Sequence, residues 1–270
     1  MSIRLSVSNL AWDDAIKGEA LARLAALGVQ GVEVAPTRIA DWDELTPARL
    51  RAYRNELEAA GLRASSLQAV FFNRPGAQLL GDAAGFAAML EHTRKVAAIA
   101  AELGAEVAVF GAPRNRLRGD LSPDEATSLA AERLRVLGDA VAEADLFLGI
   151  EPVPPVYGGD FLTTAGEVIG MVRTTDHPWV RVHLDTGCVK LGGDRIDDAV
   201  REALPFLVHF HAAEPQLAGF SAPQADHAAA AAALRDVGYG RWIAIEMREP
   251  PSDALAEVET AVSFVQRTYG

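Results

Sequence analysis

Val180-Arg181-Val182-His183-Leu184-Asp185-Thr186-Gly187 is the stretch that decides the fold of this chain. A short run rich in β-branched residues ends on an aspartate, and we expect the glycine that follows to turn the chain away at once. Period-2 alternation puts His183 and Asp185 on one face of a predicted strand and Val182 and Leu184 on the other. Ionisable side chains are rare on buried strands unless they are paired or bind a metal. The stretch therefore indicates a strand with a functional group at its carboxyl end.

Other runs of the same kind alternate with amphipathic runs along the whole chain. The predicted strands cover residues 3–8, 29–35, 62–68, 106–110, 146–151, 180–185, 206–211 and 242–247. The predicted helices cover residues 19–27, 46–60, 83–103, 122–144, 163–173, 197–203, 226–237 and 252–269. A helix–glycine–strand junction recurs at Gly28, Gly61, Gly104 and Gly238, where glycine supplies the left-handed conformation that ends a helix.

Strict alternation of strand and helix predicts a parallel sheet, and eight such units predict a closed barrel. The predicted fold class is α/β, a (β/α)8 TIM barrel forming a single domain over residues 1–270. The alternative is an open doubly wound sheet. It is disfavoured because no G-x-G-x-x-G motif follows the first strand.

Composition limits the classes of partner. The chain has 270 residues, half of them apolar, and a formal net charge of −12. Such a charge argues against nucleic acid, whose affinity for proteins comes largely from lysine and arginine on phosphates. A single cysteine excludes an intrachain disulfide and fits a reducing compartment. No run is long and apolar enough for a membrane span, and the polar segment 1–10 is too short for a signal peptide. We therefore expect a cytoplasmic protein.

The last four predicted strands present ionisable residues near their carboxyl ends, where a TIM barrel carries its function. These residues are Glu151, Asp185, His211 and Glu246. Each one alone is explained by pairing with a neighbouring arginine or histidine. Three converging carboxylates, however, repel one another and are costly to bury, and a divalent cation removes both penalties. One imidazole among carboxylates suits Mn, Co, Mg, Fe or Zn without choosing between them.

The whole chain resembles the sugar (phosphate) isomerase/epimerase family of xylose-isomerase-like TIM barrels, which includes ketose 3-epimerases and hydroxypyruvate isomerases. The stretches that carry the resemblance are Gly149-Ile150-Glu151-Pro152, Leu184-Asp185-Thr186, His209-Phe210-His211 and Ala244-Ile245-Glu246. The resemblance implies that Glu151, Asp185, His211 and Glu246 bind one metal ion. It also implies that Glu151 and Glu246 are the catalytic acid/base pair on opposite faces of the substrate, and it is compatible with a homodimer.

The predicted activity is isomerisation or epimerisation of a small sugar or sugar derivative. Moving a proton next to a carbonyl needs a base at the carbon and an electrophile at the oxygens, because the enediolate carries negative charge. A metal ion that bridges the carbonyl and hydroxyl oxygens stabilises that charge. Two bases, one on each face, permit epimerisation, whereas one face permits aldose–ketose isomerisation.

The chain departs from the family at the residues that grip the sugar. Cys188 stands where many members have histidine, Leu217 stands where the 3-epimerases have arginine, and segment 154–159 lacks their further glutamate. Two alternatives therefore remain: a lyase on the same site, either an inosose-type dehydratase or a keto-sugar deglycosidase, and an inactive sugar-binding barrel. An AP-endonuclease-type phosphodiesterase is disfavoured, because its zinc cluster needs more histidines and this chain has only six.

Further residues are predicted around the metal ligands. His183 and His209 lie one layer deeper, where they orient ligands or form a hydrogen-bonded layer. Trp12 forms an apolar wall for a sugar ring or covers the barrel rim. Arg248 binds an anionic group or pairs with a ligand carboxylate. The candidates for substrate binding are Trp12, Gln68, Tyr157 (in a glycine-rich lid), His183, Cys188 and Arg248, with His209 behind the ligands.

Overall fold

Eight parallel strands close into a barrel in the order in which they occur in the chain. The computed structural model describes residues 3–251 and 253–270. The last strand pairs with the first, with Trp242 beside Arg4 and Ile245 beside Val7. The predicted (β/α)8 TIM barrel is therefore confirmed. The strands are β1 (Arg4–Ser8), β2 (Gly31–Val34), β3 (Arg63–Leu67), β4 (Val107–Phe110), β5 (Phe147–Ile150), β6 (Val180–Asp185), β7 (Leu207–Ala213) and β8 (Trp242–Glu246).

The helices between the strands surround the barrel. In the described residues they are α1 (Lys17–Ala26), α2 (Pro47–Ala59), α3 (Ala83–Leu103), α4 (Pro123–Ala142), α5 (Ala165–Thr175), α6 (Thr186–Gly192), α7 (Ile196–Ala203), α8 (His227–Asp236) and α9 (Ala254–Tyr269). Ser252, the predicted first residue of the closing helix, lies outside the described residues, as do Met1 and Ser2 of the N-terminal segment. No helix in residues 3–251 and 253–270 has the length and apolar character required to cross a membrane.

Helix α6 was not predicted, and it corrects the interpretation of Gly187. The Asp185 side chain caps this helix, with Oδ1 accepting from the backbone N–H of Cys188 at 2.6 Å. Gly187 therefore lies inside a helix and does not turn the chain away. A Cβ at this position would lie 2.7 Å from the carbonyl carbon of Glu214, so the glycine permits close packing against the segment after β7.

Alternation along β6 divides its side chains between two environments, as predicted. Val182 and Leu184 are fully buried in the hydrophobic core. His183 and Asp185 lie on the interior side of the barrel, level with His209 and His211 of β7 in the strand register. The predicted junction glycines Gly28, Gly61, Gly104 and Gly238 all have positive φ, between 68° and 78°. These junctions start four of the eight strands, β2, β3, β4 and β8, at a defined level.

Candidate metal centre

Four consecutive strands bring four ionisable side chains together at the carboxyl rim. Asp185 ends β6, His211 lies in β7, Glu246 ends β8 and Glu151 directly follows β5. One nitrogen or oxygen atom from each of these residues lies within 4.8 Å of the others. Asp185 is 1% exposed and Glu151 is 8% exposed, so the group is almost entirely removed from water. The predicted convergence is present, whereas metal binding by these residues stays a prediction.

His211 lies at the centre of the group. Its Nδ1 is 3.4 Å from Asp185 Oδ2, 3.2 Å from Glu246 Oε2 and 4.0 Å from Glu151 Oε1. Among the described residues neither Asp185 Oδ2 nor His211 Nδ1 has a hydrogen-bond partner, although both are buried. Buried polar atoms without partners are rare in proteins and need an explanation.

The two glutamates of the group resist ionisation in this buried position. Burial, together with the negative charges of Asp185 and Glu246, raises the pKa of Glu151 well above its usual range. Burial likewise raises the pKa of Glu246, where Asp185 and Glu33 add repulsion. Burial lowers the pKa of His211, but Glu33 and Glu246 outweigh it and raise that pKa well above its usual value. Without a metal, a positive imidazolium is therefore stabilised among the acids.

These observations fit a divalent cation. The group offers three carboxylates and one ring nitrogen, and two of the atoms that face its centre have no partner in the described residues. A cation held there would accept a lone pair from each of these two atoms and would offset the repulsion between the acids. The donor set of oxygen and imidazole nitrogen suits Mn, Co, Mg, Fe or Zn.

A buried glutamate that sequence reasoning did not single out lies behind the group. Glu33 of β2 is fully buried, and its Oε2 is 2.8 Å from His211 Nε2. Its Oε1 accepts from His209 Nε2 at 2.9 Å and from the Ser66 hydroxyl at 2.7 Å. The sequence does carry a signal for Glu33, because it is the one charged residue in the buried strand Gly31–Val34. A charged residue on a buried strand is also the observation that points to Asp185.

His183 and His209 form the layer beneath the ligands. The ring of His183 packs edge-on against His211, with centroids 4.1 Å apart, and its Nε2 is 3.5 Å from Glu151 Oε1. Burial lowers the pKa of His183 well below its usual value and also lowers the pKa of His209. Both rings are therefore neutral, and His209 reaches the ligand group through Glu33. The His183 ring is fully buried beneath the ligands, and substrate binding by this residue stays a prediction.

Gln68 follows β3 and lies between two of the acids. With its amide nitrogen directed at the carboxylates, the orientation that pairs each donor with an acceptor, it donates to Glu246 Oε1 at 2.5 Å and to Glu33 Oε2 at 3.2 Å. Its amide oxygen then accepts from the Ser8 hydroxyl. Gln68 thus connects a predicted ligand to the buried glutamate and also faces the cavity described below.

Tyr157 and Arg248 hold a loop across the mouth of the barrel. The Tyr157 hydroxyl accepts from the backbone N–H of Gln216 at 2.8 Å, and Arg248 Nε donates to the Gln216 carbonyl at 3.1 Å. Gln216 and Leu217 both have positive φ, so this loop is held in an uncommon conformation. The predicted pairing of Arg248 with a ligand carboxylate is wrong, because within the described part of the chain its guanidinium contacts no acid.

Trp12 and Cys188 have surroundings that differ from those of a typical sugar contact. Trp12 is 2% exposed, packs in the hydrophobic core and is not among the residues that line the cavity described below, and substrate contact by Trp12 stays a prediction. Cys188 lies in the first turn of α6 beside Asp185. Burial and the charges of Asp185 and Glu151 raise the pKa of the Cys188 thiol well above its usual value. The thiol is therefore protonated and weakly nucleophilic.

Arg116 holds the ends of β4 and β5. It is fully buried, and its guanidinium donates to the carbonyls of Phe110 (3.1 Å), Glu151 (2.7 Å) and Leu162 (3.1 Å). Burial lowers the pKa of Arg116 to about 10. This residue therefore anchors the backbone from which the Glu151 side chain projects.

A cavity of about 620 Å³ opens beside the group and has room for a small organic molecule. Glu151, Glu246, Gln68 and Tyr157 all line it, so two of the predicted ligands face the space where a substrate would bind. Its remaining walls come mostly from apolar residues of the loops after β3 and β4. These include Val70, Phe71, Phe72, Pro75, Ala112 and Pro113.

Solved structures with the same fold cover almost the whole chain. An L-ribulose 3-epimerase matches with a TM-score of 0.82 at 17% identity, over 99% of this chain and 95% of that one. A D-psicose 3-epimerase matches with a TM-score of 0.79 at 20% identity, over 99% and 100%. A probable 3-DHS dehydratase from Bacillus anthracis matches with a TM-score of 0.73 at 14% identity, over 97% and 99%.

Structural neighbours therefore include sugar epimerases and a dehydratase, and at such identities they establish the fold alone. A comparison with curated protein sequences finds no significant match. The family model for the xylose isomerase-like TIM barrel matches residues 21–267, which is most of the barrel. The chain belongs to the xylose isomerase-like TIM barrel family.

Proposed function

We propose that the protein is a divalent-metal-dependent isomerase or epimerase that moves a proton next to the carbonyl of a small sugar or sugar derivative. One observation carries the proposal: Glu151 and Glu246 belong to a single four-residue ligand group and both line the same cavity. Two carboxyl groups beside one bound substrate are suited to remove a proton and to return one. The proposed substrate is a carbohydrate that fits the cavity of about 620 Å³.

Each of the two proposed catalytic residues is held by its surroundings. Arg116 donates to the backbone carbonyl of Glu151 at 2.7 Å. The Gln68 amide donates to Glu246 Oε1 at 2.5 Å. Such contacts fix each carboxyl group relative to the substrate before the reaction, which reduces the entropic part of the barrier. Glu151, Asp185, His211 and Glu246 would hold the metal.

Proton transfer is the work of the chain's own residues. One of Glu151 and Glu246 accepts the proton from the substrate carbon, and the same or the other residue returns a proton. When bound, a divalent metal supplies positive charge for the substrate oxygens during this transfer. Return by the opposite residue gives an epimer, whereas return to the neighbouring carbon gives an isomer. General acid–base catalysis of this kind contributes about 10²–10⁴ in rate.

A lyase on the same site is the second candidate, and Tyr157 favours it. The hydroxyl oxygen of Tyr157 already accepts from the Gln216 backbone, so its own proton is available to the cavity. Burial raises the pKa of Tyr157 to about 12, which keeps the phenol protonated. After a glutamate removes the proton next to the carbonyl, this hydroxyl is suited to protonate a departing oxygen.

Metal content and solvent exchange test the proposal together. The purified protein, its Asp185→Asn variant and its Glu151→Gln and Glu246→Gln variants are reconstituted with Mn²⁺ or Co²⁺ and incubated in D₂O with ketoses, keto-sugars and sugar acids. About one tightly bound ion per wild-type chain is expected, with much weaker binding in Asp185→Asn. Deuterium is expected at the carbon next to the carbonyl, reduced by about 10² or more in each glutamate variant.

A matched control lies at the opposite end of the barrel. Glu106 pairs there with Arg4 at 2.6 Å, and Glu106→Gln is expected to bind metal and exchange deuterium like the wild type. A product that lacks water or another leaving group of the substrate indicates the lyase. Metal binding without exchange across the panel supports an inactive sugar-binding barrel, and absence of metal binding contradicts the proposal. A cytoplasmic location and a homodimer stay predictions; light scattering tests the latter.

A further inference from the structure

We propose that Glu33 is a positioning residue of the metal centre, which directs the Nδ1 atom of His211 toward the metal and holds Glu246 in place. The inference rests on the proposed function, because it concerns residues that would bind the metal. Glu33 itself is separated from the ligand group by the His211 ring and by Gln68. Its role is therefore to act through these two side chains.

Both oxygens of the Glu33 carboxylate are engaged, and all of its partners are buried. Oε1 accepts from the Ser66 hydroxyl at 2.7 Å and from His209 Nε2 at 2.9 Å. Oε2 faces His211 Nε2 at 2.8 Å and accepts from Gln68 at 3.2 Å. No lysine or arginine in the described residues pairs with this carboxylate, so its negative charge is met by the His211 ring and by the N–H and O–H donors around it. This arrangement joins β3, with the residue that follows it, and β7 to one acid of β2.

His211 is the first route by which Glu33 acts. A neutral imidazole carries one N–H, and its other nitrogen offers a lone pair to a metal. The Nε2 atom of the ring lies 2.8 Å from Glu33 Oε2, and the negative charge of this carboxylate attracts the ring proton to that side. The Nδ1 side faces Asp185 and Glu246, so its lone pair is directed into the ligand group. A carboxylate behind a ligating histidine fixes its ring and its tautomer in this manner.

Gln68 is the second route. Its amide nitrogen lies between Glu33 Oε2 (3.2 Å) and Glu246 Oε1 (2.5 Å). Glu33 and Glu246 together determine which way the amide faces, since a carboxylate only accepts hydrogen bonds and must be met by the amide nitrogen. The same nitrogen restrains Glu246 on the wall of the cavity. One buried carboxylate therefore orients two of the four proposed ligands.

A purely structural role is the alternative, and the surroundings of Glu33 argue against it. Val32 and Val34, its neighbours along β2, pack in the hydrophobic core on the opposite face of the strand, so β2 itself does not require an acid at position 33. An apolar residue at a buried ionic position is often neutral or stabilising, so stability alone gives little reason for an acid there. The contacts of Glu33 instead lead to His211 and, through Gln68, to Glu246.

Titration of the metal-stripped protein with Mn²⁺ tests the inference. Glu33→Gln keeps the shape of the side chain but cannot accept from all of its partners, and its Kd for Mn²⁺ is expected to weaken about 10- to 100-fold. The matched control is Glu214→Gln, because Glu214 and His227 form a second buried pair at 2.7 Å, outside the ligand group. The control is expected to bind Mn²⁺ like the wild type, even if its melting temperature falls.

A second metal and a second variant keep the test decisive. With Co²⁺, the visible absorption of Glu33→Gln is expected to differ from that of the wild type, since the ligand geometry changes. Should Glu33→Gln fail to fold, Ser66→Ala removes one partner of Glu33, and its Kd is expected to weaken severalfold. Wild-type affinity and spectrum in a folded Glu33→Gln, or in Ser66→Ala, would overturn the inference and leave the proposed function intact. Absence of Mn²⁺ binding by the wild type overturns both.

Discussion

The α-carbon of Gly111 lies directly against the carboxyl group of Glu151. A Cβ built at position 111 would be 1.7 Å from Oε2 of Glu151 and 3.0 Å from its carboxyl carbon. The two residues follow neighbouring strands, since Phe110 of β4 is level with Ile150 of β5. The absence of a side chain at position 111 therefore creates the space in which the Glu151 carboxylate lies.

Gly111→Ala is expected to move Glu151 out of the ligand group without unfolding the barrel. The Kd for Mn²⁺ should weaken and the rate of deuterium exchange should fall, each by about tenfold or more, because a misplacement of 1 Å is costly in catalysis. Calorimetry measures the Kd for Mn²⁺, and incubation in D₂O with substrate measures the rate of deuterium exchange. Gly166 of α5, which has open space around its α-carbon, is the control, and Gly166→Ala should change neither quantity. Normal binding by Gly111→Ala would contradict the role given to this glycine.

Glu151→Gln is expected to stabilise the metal-free protein. The pKa of Glu151 is raised well above its usual value of 4.5, so the folded state holds this proton more tightly than the unfolded state. The metal-free wild type therefore loses stability as pH rises from about 4.5 through the raised pKa. The variant lacks this loss, and its advantage in melting temperature, about 2–4 °C for each kcal/mol, should grow over that interval. If the advantage of Glu151→Gln in melting temperature shrinks as pH rises, the burial and the repulsion assigned to the Glu151 carboxylate are contradicted.

Metal binding is expected to release protons. The raised pKa values of His211 and Glu151 mean that both sites hold protons to a higher pH than usual in the metal-free protein. These protons compete with the metal, so affinity should fall as pH is lowered through the raised pKa values. Calorimetry in buffers of different ionisation enthalpy measures the release, which should decline as pH rises. A constant affinity between pH 5 and about 8 would contradict this competition.

Arg116→Met is expected to be severely destabilising. The substitution leaves the carbonyls of Phe110, Glu151 and Leu162 without their donor in a buried place. Each unsatisfied buried group costs about 1–3 kcal/mol, so a loss of about 3 kcal/mol or more is expected in denaturant unfolding. Arg114 is exposed and provides the control, since Arg114→Met should stay within about 0.5 kcal/mol of the wild type. Equal stability of the two variants would contradict the anchoring role of Arg116.

Cys188 is expected to react slowly with iodoacetamide. Burial and the nearby carboxylates raise the pKa of its thiol, and each unit of increase lowers the thiolate population about tenfold below that pKa. Alkylation at pH 8 should therefore be at least about tenfold slower in the folded protein than in guanidinium, as measured by mass spectrometry. Equal rates in the two states would show an accessible thiolate instead.

Much of the fold follows from local patterns in the sequence. Alternating apolar residues predict the strands, and glycines such as Gly104 mark the junctions, because these signals depend on a few neighbouring residues. Strict alternation of strand and helix then allows few topologies, and one of them is the closed barrel. The four residues of the ligand group follow as well, since all carboxyl ends of a parallel barrel meet at one rim. Helix α6 does not follow from these patterns, because an aspartate at a strand end fits a metal ligand as well as the helix cap that Asp185 forms.

Tertiary structure decided which side chains support the site. Glu33 and His209 are 176 positions apart in the chain and make contact only because the barrel interior brings β2 and β7 together. Trp12 packs in the hydrophobic core, and Arg248 donates to the backbone carbonyl of Gln216. Packing and hydrogen-bond partners select these side-chain rotamers, because the sequence alone does not distinguish between them. The sequence by itself determined the barrel and the residues at its rim, because periodicity is a local property. The space at Gly111 and the carboxylate behind His211 depend on distances between strands, which only the closed barrel defines.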